Sequence, residues 1–213
     1  MRSVIVPPHR GTLPSPAVET TVPETTLEHF MSDSLPYTND AAANTLITDD
    51  AFALLVGIVL YQQVPIETAF AGPARLRDRL GGLDPHLIAE MDPEALEAAF
   101  KEKPAVHRFP GNMSKRVQGV AAHVATEYDG DTSAIWADVD DADDLMRRLK
   151  KVPGFGDYKA RIYLAVLAQR FGVRPDGWEA FLPDWPNISE IDTPADRADL
   201  KERKKAWKAA QKS

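Results

Sequence analysis

The residues with the clearest chemical content are Val152-Pro153-Gly154-Phe155-Gly156-Asp157-Tyr158-Lys159. Proline fixes φ, two glycines one residue apart permit a tight hairpin, and the helix expected next begins with exposed amides. Amides at a helix N-terminus bind anions, and a phosphate suits such a site. Three other readings compete. A dinucleotide fingerprint needs a third glycine, where Lys159 stands, and a preceding β-branched strand, where this sequence is basic and helical. A phosphate loop needs Gly-Lys-Ser/Thr, which is absent. An ordinary turn between two helices needs the spacing alone. Charge placement favours the phosphate: residues 145–174 hold eight basic side chains against Asp157 alone, while 127–144 hold eight acidic and no basic ones. A basic block centred on a glycine hairpin is the less usual kind of charge run.

Pro153-Gly154-Phe155-Gly156, then Lys159-Ala160, an apolar helix and Arg174-Pro175-Asp176 resembles the helix-hairpin-helix and Gly-Pro-Asp (HhH-GPD) signature of the base-excision DNA glycosylase superfamily. Leu60-Tyr61-Gln62-Gln63 resembles the end of the buried helix with which that superfamily presents a glutamine to DNA. Met113-Ser114-Lys115-Arg116 resembles its Ser-Lys helix start at the DNA backbone. These motifs span residues 45–190 in the family's order. The resemblance implies an all-α fold of two helical subdomains with the DNA groove between them. It also implies a phosphate held by the hairpin amides, often through a monovalent cation, and a damaged base flipped into an interdomain pocket. Asp176, 20 residues after Gly156, would then promote cleavage of the N-glycosidic bond. Its carboxylate can stabilise oxocarbenium charge on the sugar, and Pro175 would hold its exit angle. The DNA-contacting set so implied is Gln62, Gln63, Lys115, Arg116, Pro153, Gly154, Phe155, Gly156 and Lys159, with Tyr61, Tyr158 and Trp178 as base-pocket residues.

The chain also departs from the family's pattern. Bifunctional members carry a Schiff-base lysine two residues after the second glycine, where Tyr158 stands here. Lys159 comes one position later, about 100° further round a helix, so the expectation is a monofunctional enzyme without lyase activity. Asp157 brings negative charge to the phosphate site. With no cysteine, the iron–sulfur branches of the family are excluded, as are disulfides, thiolate zinc and a cysteine nucleophile. Asp176 is followed by Gly177-Trp178 and has an exposed-loop alternative. Gln62 and Gln63 either fill the gap left by a flipped base or bond helix-end carbonyls. Lys115 and Arg116 either touch phosphates or form a solvated helix start. Phe70 and Trp136, like Tyr61, Tyr158 and Trp178, either stack a base or belong to the core. The five histidines lack ligand spacing, so no metal site is expected.

The elements that must position these residues read as helices throughout. Thr48-Asp49-Asp50 signals a helix start, with a nearly all-apolar helix over 51–63, followed by helices over 66–80, 115–128 with Ser114 as cap, 142–150 and 158–171. Shorter ones are expected after Asp84-Pro85 and Asp92-Pro93. Six of the 17 prolines fall by Pro36, so residues 1–44 read as an irregular extension, 45–190 as the glycosylase-like domain and 191–213 as a basic C-terminal helix. That tail reads either as a backbone-binding helix or as a solubilising end. The longest apolar run, 51–61, is too short for a bilayer, and the start lacks a secretion signal. A cytoplasmic, nucleoid-associated monomer acting on double-stranded DNA with a damaged base is the resulting expectation. The net charge of −7 argues on its face against nucleic acid, but it averages an acidic extension, the acidic 127–144 and the basic 145–174. Two further function classes stay open: a non-catalytic DNA-binding module that keeps the hairpin, and an all-α protein-interaction scaffold.

Overall fold

Helix α2 (Ala51–Leu60) organises the molecule. Asp50 caps it, its carboxylate accepting the Phe52 and Ala53 N–H groups, and nine of its ten residues, Phe52 to Leu60, are buried. A helix apolar on every face must be surrounded. Helices α1 (Ala41–Asp49), α3 (Ile66–Phe70), α4 (Gly72–Leu80), α7 (Pro110–Tyr128) and the 3-10 turn Thr132–Ile135 enclose it. Gly57 lets Phe70 lie against the helix: a β-carbon there would stand 2.5 Å from the ring. The computed structural model describes residues 34–211, which are helical without a strand and fall in one compact unit.

The order of elements follows the capping signals, with four differences from the sequence expectation. Most of the extension lies outside the described residues, but its end does not behave as one. Leu35 and Tyr37 are fully buried, Tyr37 donates to the Ile188 carbonyl at 2.9 Å, and α1 starts at Ala41 under an Asp40 cap. Two apolar anchors and one cap outweigh the surrounding Thr and Pro content. Helix α2 stops at Leu60 rather than at 63, with Tyr61 as its C-cap. The helix expected over 66–80 is two, because Gly72-Pro73 begins a new one in α4. Helix α7 begins at Pro110, its first-turn proline, so Ser114 is no cap; it is buried, with its hydroxyl donating to the Gly111 carbonyl at 3.0 Å.

Helices α5 (Pro85–Glu90) and α6 (Pro93–Lys101) pack on α7 under Asp84 and Asp92 caps. Asp141 caps α8 (Ala142–Lys151), which the glycine hairpin joins to α9 (Asp157–Arg170). Helix α10 (Asp196–Ala210) is no loose tail, since Leu200 is fully buried. No single described helix is long and apolar enough to cross a membrane.

Gly57→Ala is expected to lower unfolding free energy by about 1–3 kcal/mol through overpacking against Phe70. The check is a lower urea midpoint at unchanged m-value; an unchanged midpoint would mean that Phe70 yields freely.

Candidate functional site

The hairpin between α8 and α9 closes with the Phe155 N–H on the Val152 carbonyl at 3.0 Å. Gly154 has φ +81°, a left-handed conformation that glycine alone adopts at little cost. Phe155 points inward, 7% exposed and edge-on to Tyr163, so its side chain anchors the turn and does not face a ligand. Gly156 caps α9 without a side chain, and the first backbone bond into the helix is Ala160 N–H to Gly156 carbonyl. The amides of residues 157–159 therefore face outward from the helix end. The carboxylate of Asp157 is held by Lys150 and Arg161, each at 2.8 Å, which lowers its pKa and balances its charge beside those amides. Among the described residues, nothing donates to the Pro153 and Gly154 carbonyls, and carbonyl oxygens of this kind suit a monovalent cation.

Helix α7 brings its basic start to this turn. Gly119 lies over Pro153, and the Arg116 guanidinium lies 3.5 Å from where a β-carbon on Gly154 would be. Arg116 also donates to the Gln62 side-chain oxygen at 3.3 Å. His107 contacts the Gln62 carbonyl through Nε2 at 3.0 Å while its Nδ1 accepts the Phe109 N–H, so the ring is neutral; burial lowers its pKa accordingly. Gln63 is exposed with φ +56°, an uncommon backbone for a residue other than glycine. Gln62, Gln63, Phe109, Asn112, Lys115 and Arg116 line a groove of about 500 Å³.

Gln62 and Gln63 also border a second cavity, of about 450 Å³, between the end of α2, the start of α9 and α10. Tyr158, 53% exposed, stacks on Trp185 with centroids 5.0 Å apart and planes within 10°. Lys159 donates to the Val59 carbonyl at 3.1 Å, and burial, aided by the Arg116 charge, brings its pKa down to about 8. Lys204 donates to the Tyr61 hydroxyl at 2.5 Å from above the ring; burial, then Lys208, also bring its pKa to about 8, against an opposing pull from Glu190. Burial raises the Tyr61 pKa, and Tyr158 adds to that rise.

Asp176 is not brought to this cavity. Helix α9 takes 14 of the residues after Gly156 and is about 21 Å long. The five that follow, 171–175, fold onto its last turn, with Val173 bonded to Leu167 and Arg174 to Ala168. The Asp176 carbonyl accepts the Ala142 N–H at 3.0 Å, at the end of α8 far from the hairpin, and its exposed carboxylate lines neither cavity. The spacing of twenty is met in count and α9 has the expected length, but the helix and the segment folded on its last turn carry Asp176 away from the hairpin. Trp178 likewise sits in the 3-10 turn Trp178–Phe181 under Arg174; the chain returns to the start of α9 only at Trp185. Trp136 and Phe70 are core contacts, edge-on to Tyr163 and Tyr37.

The basic block is also less available than its charge count suggests. Arg147 and Arg148 bind the buried Asp144, and Arg170 binds Asp192. The positive charge that faces the groove and cavity comes from Lys115, Arg116, Lys159, Lys204 and Lys208. Trp185, Lys204, Trp207, Lys208 and His107 carried no motif. The prolines on either side of Asp184-Trp185, Pro183 and Pro186, were the signal that this tryptophan is held in a fixed, extended segment.

A family model described as HhH-GPD superfamily base excision DNA repair protein matches residues 56–176, more than half of the chain. The chain belongs to the HhH-GPD superfamily. No curated protein and no solved structure matches it. The match runs from within α2, through the glutamines, α7 and the hairpin, to Asp176. The all-helical fold agrees with it, and the hairpin leads into Tyr158 and Lys159 on the cavity wall.

Arg116→Gln is expected to weaken duplex binding by this HhH-GPD protein several-fold. It should also reduce the slope of log K against log salt by about one. Fluorescence-anisotropy titrations over a salt series measure both; an unchanged slope would remove Arg116 from the DNA contacts.

Proposed function

We propose that this HhH-GPD protein is a DNA glycosylase that takes a flipped base into the cavity beside Gln62 and attacks the sugar with Lys159. The observation that carries this reading is the half-buried Lys159 amine. It is held on the cavity wall by the Val59 carbonyl and follows directly on the stacked Tyr158. Duplex phosphates would meet the outward amides of 157–159, with Lys115 and Arg116 beside them. A monovalent cation on the Pro153 and Gly154 carbonyls would add positive charge at that phosphate. Gln63 would reach toward the gap that the flipped base leaves.

A lysine whose pKa is near 8 is partly neutral at physiological pH and so nucleophilic. Its lone pair attacks C1′ while the C1′–N bond breaks, the bonding pair leaving with the base. The proton lost by the new secondary ammonium passes to the departing base. The ring oxygen then leaves C1′ with its pair and takes a proton from water, which leaves a protonated imine between Lys159 and the sugar. The second reading is hydrolysis without a covalent intermediate, with Asp176 as the assisting carboxylate; Tyr158, in place of lysine at the second position after Gly156, favours it.

The test combines alkali-revealed base release from a panel of lesion duplexes with borohydride trapping. Wild type and Asp176→Asn are expected to give a trapped adduct, and Lys159→Ala none. Trapping should rise roughly tenfold per pH unit below about pH 8 and level off above, because only the neutral amine attacks. Base release without an adduct, abolished by Asp176→Asn, would establish the hydrolytic reading instead. Salt-dependent binding with no release from any lesion would leave a DNA-binding module.

A further inference from the structure

Helix α10 gives the cavity a chemical bias of its own. Lys204 and Lys208 line it with Trp207, and the helix is fastened by the buried Leu200 and by Arg203 on Glu190. Across the space are Lys159 from α9 and the Gln62 and Gln63 side chains from the end of α2. Among the described residues, no carboxylate lines the cavity. Glu190, the acid whose charge bears on Lys204, is taken up by Arg203 and by the backbone and side-chain amides of Asn187. The polar lining is thus rich in donors and biased toward positive charge, around a flat aromatic surface made by Tyr158 on Trp185.

Such a lining discriminates between leaving bases. When a neutral base leaves, the pair of the C1′–N bond passes to the ring nitrogen and spreads onto its carbonyl oxygens. An ammonium fixed beside those oxygens stabilises the developing anion. A purine already made cationic by ring alkylation leaves as a neutral molecule and gains nothing from that ammonium. Before reaction it is repelled by it. Binding such a base calls for carboxylates or bare aromatic faces without nearby lysines.

We propose that the cavity selects deaminated or oxidised bases, which present carbonyl oxygens and depart as anions, and that Lys204 receives that edge. Cationic N-alkylated purines are disfavoured by the same residue. The inference rests on the glycosylase reading above. In the step, the base takes the bonding pair, Lys204 hydrogen-bonds the oxygen on which the charge collects, and the nucleophile at C1′ supplies the replacing bond. Lys204 is therefore a residue that contacts the substrate and sets specificity. Its bond to the Tyr61 hydroxyl places the ammonium at the cavity.

The experiment measures single-turnover release from duplexes carrying uracil, 5-hydroxyuracil, 8-oxoguanine or 7-methylguanine, each divided by its uncatalysed rate. At least one of the first three is expected to be enhanced tenfold or more above 7-methylguanine. Lys204→Met, which keeps the packing stem, should cut that preference by tenfold or more, and Lys208→Met should reduce it less. Circular dichroism melting confirms that each variant is folded; if Lys204→Met is not, Lys204→Gln takes its place in the same comparison. A greater enhancement for 7-methylguanine, or a preference unchanged in the folded Lys204 variant, would overturn the inference while leaving the glycosylase reading intact. Release from none of the four, and from no other lesion in the panel, would instead overturn the glycosylase reading itself.

Discussion

One carbonyl ties the site together. At the C-terminus of α2 the last carbonyls lose their helical partners. Tyr61 N–H satisfies Gly57 and Ile58, and Gln62 N–H satisfies Leu60. The Val59 carbonyl accepts two side chains instead: Gln62 Nε2 at 2.9 Å and Lys159 Nζ at 3.1 Å. Gln62 also borders the basic groove, and Lys159 the cavity. The most buried helix of the core thus sets the positions of the glutamine that lines groove and cavity and of the lysine at the start of α9. The left-handed turn at Gln63 follows from stopping the helix there and sending the chain to Pro65.

Electrostatics then decides which charges act outward. The protein carries a net −7, yet much of its basic block serves internal pairing. Asp144 is buried under Arg147 and Arg148, and Asp157 is bracketed by Lys150 and Arg161. Of these pairs Lys150–Asp157 joins α8 to α9 and the others lie within one helix, while Arg148 ties α8 to the turn before it through the carbonyls of Ala137 and Asp138. The charge left to meet an anion comes from separate helices, α7, α9 and α10, and converges on Gln62. Burial lowers the pKa values of Lys159 and Lys204, so the same packing that places them also tunes them.

Much of this was legible in sequence because it depends on local signals. The caps Asp50, Asp84 and Asp92 set helix starts, the all-apolar run set the central helix, and the spaced glycines set the hairpin. What was not legible depends on long-range packing and on loop paths. The length of α9 was legible, but not that residues 171–175 fold back on its last turn, which leaves Asp176 at the end of the helix far from the hairpin. Tyr37 on Ile188, Trp185 on Tyr158 and Lys204 on Tyr61 each join residues far apart in the chain, and no local pattern announces them. The basic block was misleading in the opposite sense, because its partners are Asp144 of the acidic stretch before it, Asp157 within it and Asp192 beyond it.

The most direct measurement is a crystal structure of the full chain bound to a duplex that carries a stable abasic-site analogue. The expected result has the extrahelical sugar in the cavity, C1′ within about 3–3.5 Å of Lys159 Nζ, and the adjoining phosphate on the amides of residues 157–159. A sugar left stacked in the duplex, or one turned toward Asp176 at the far end of α9, would contradict it.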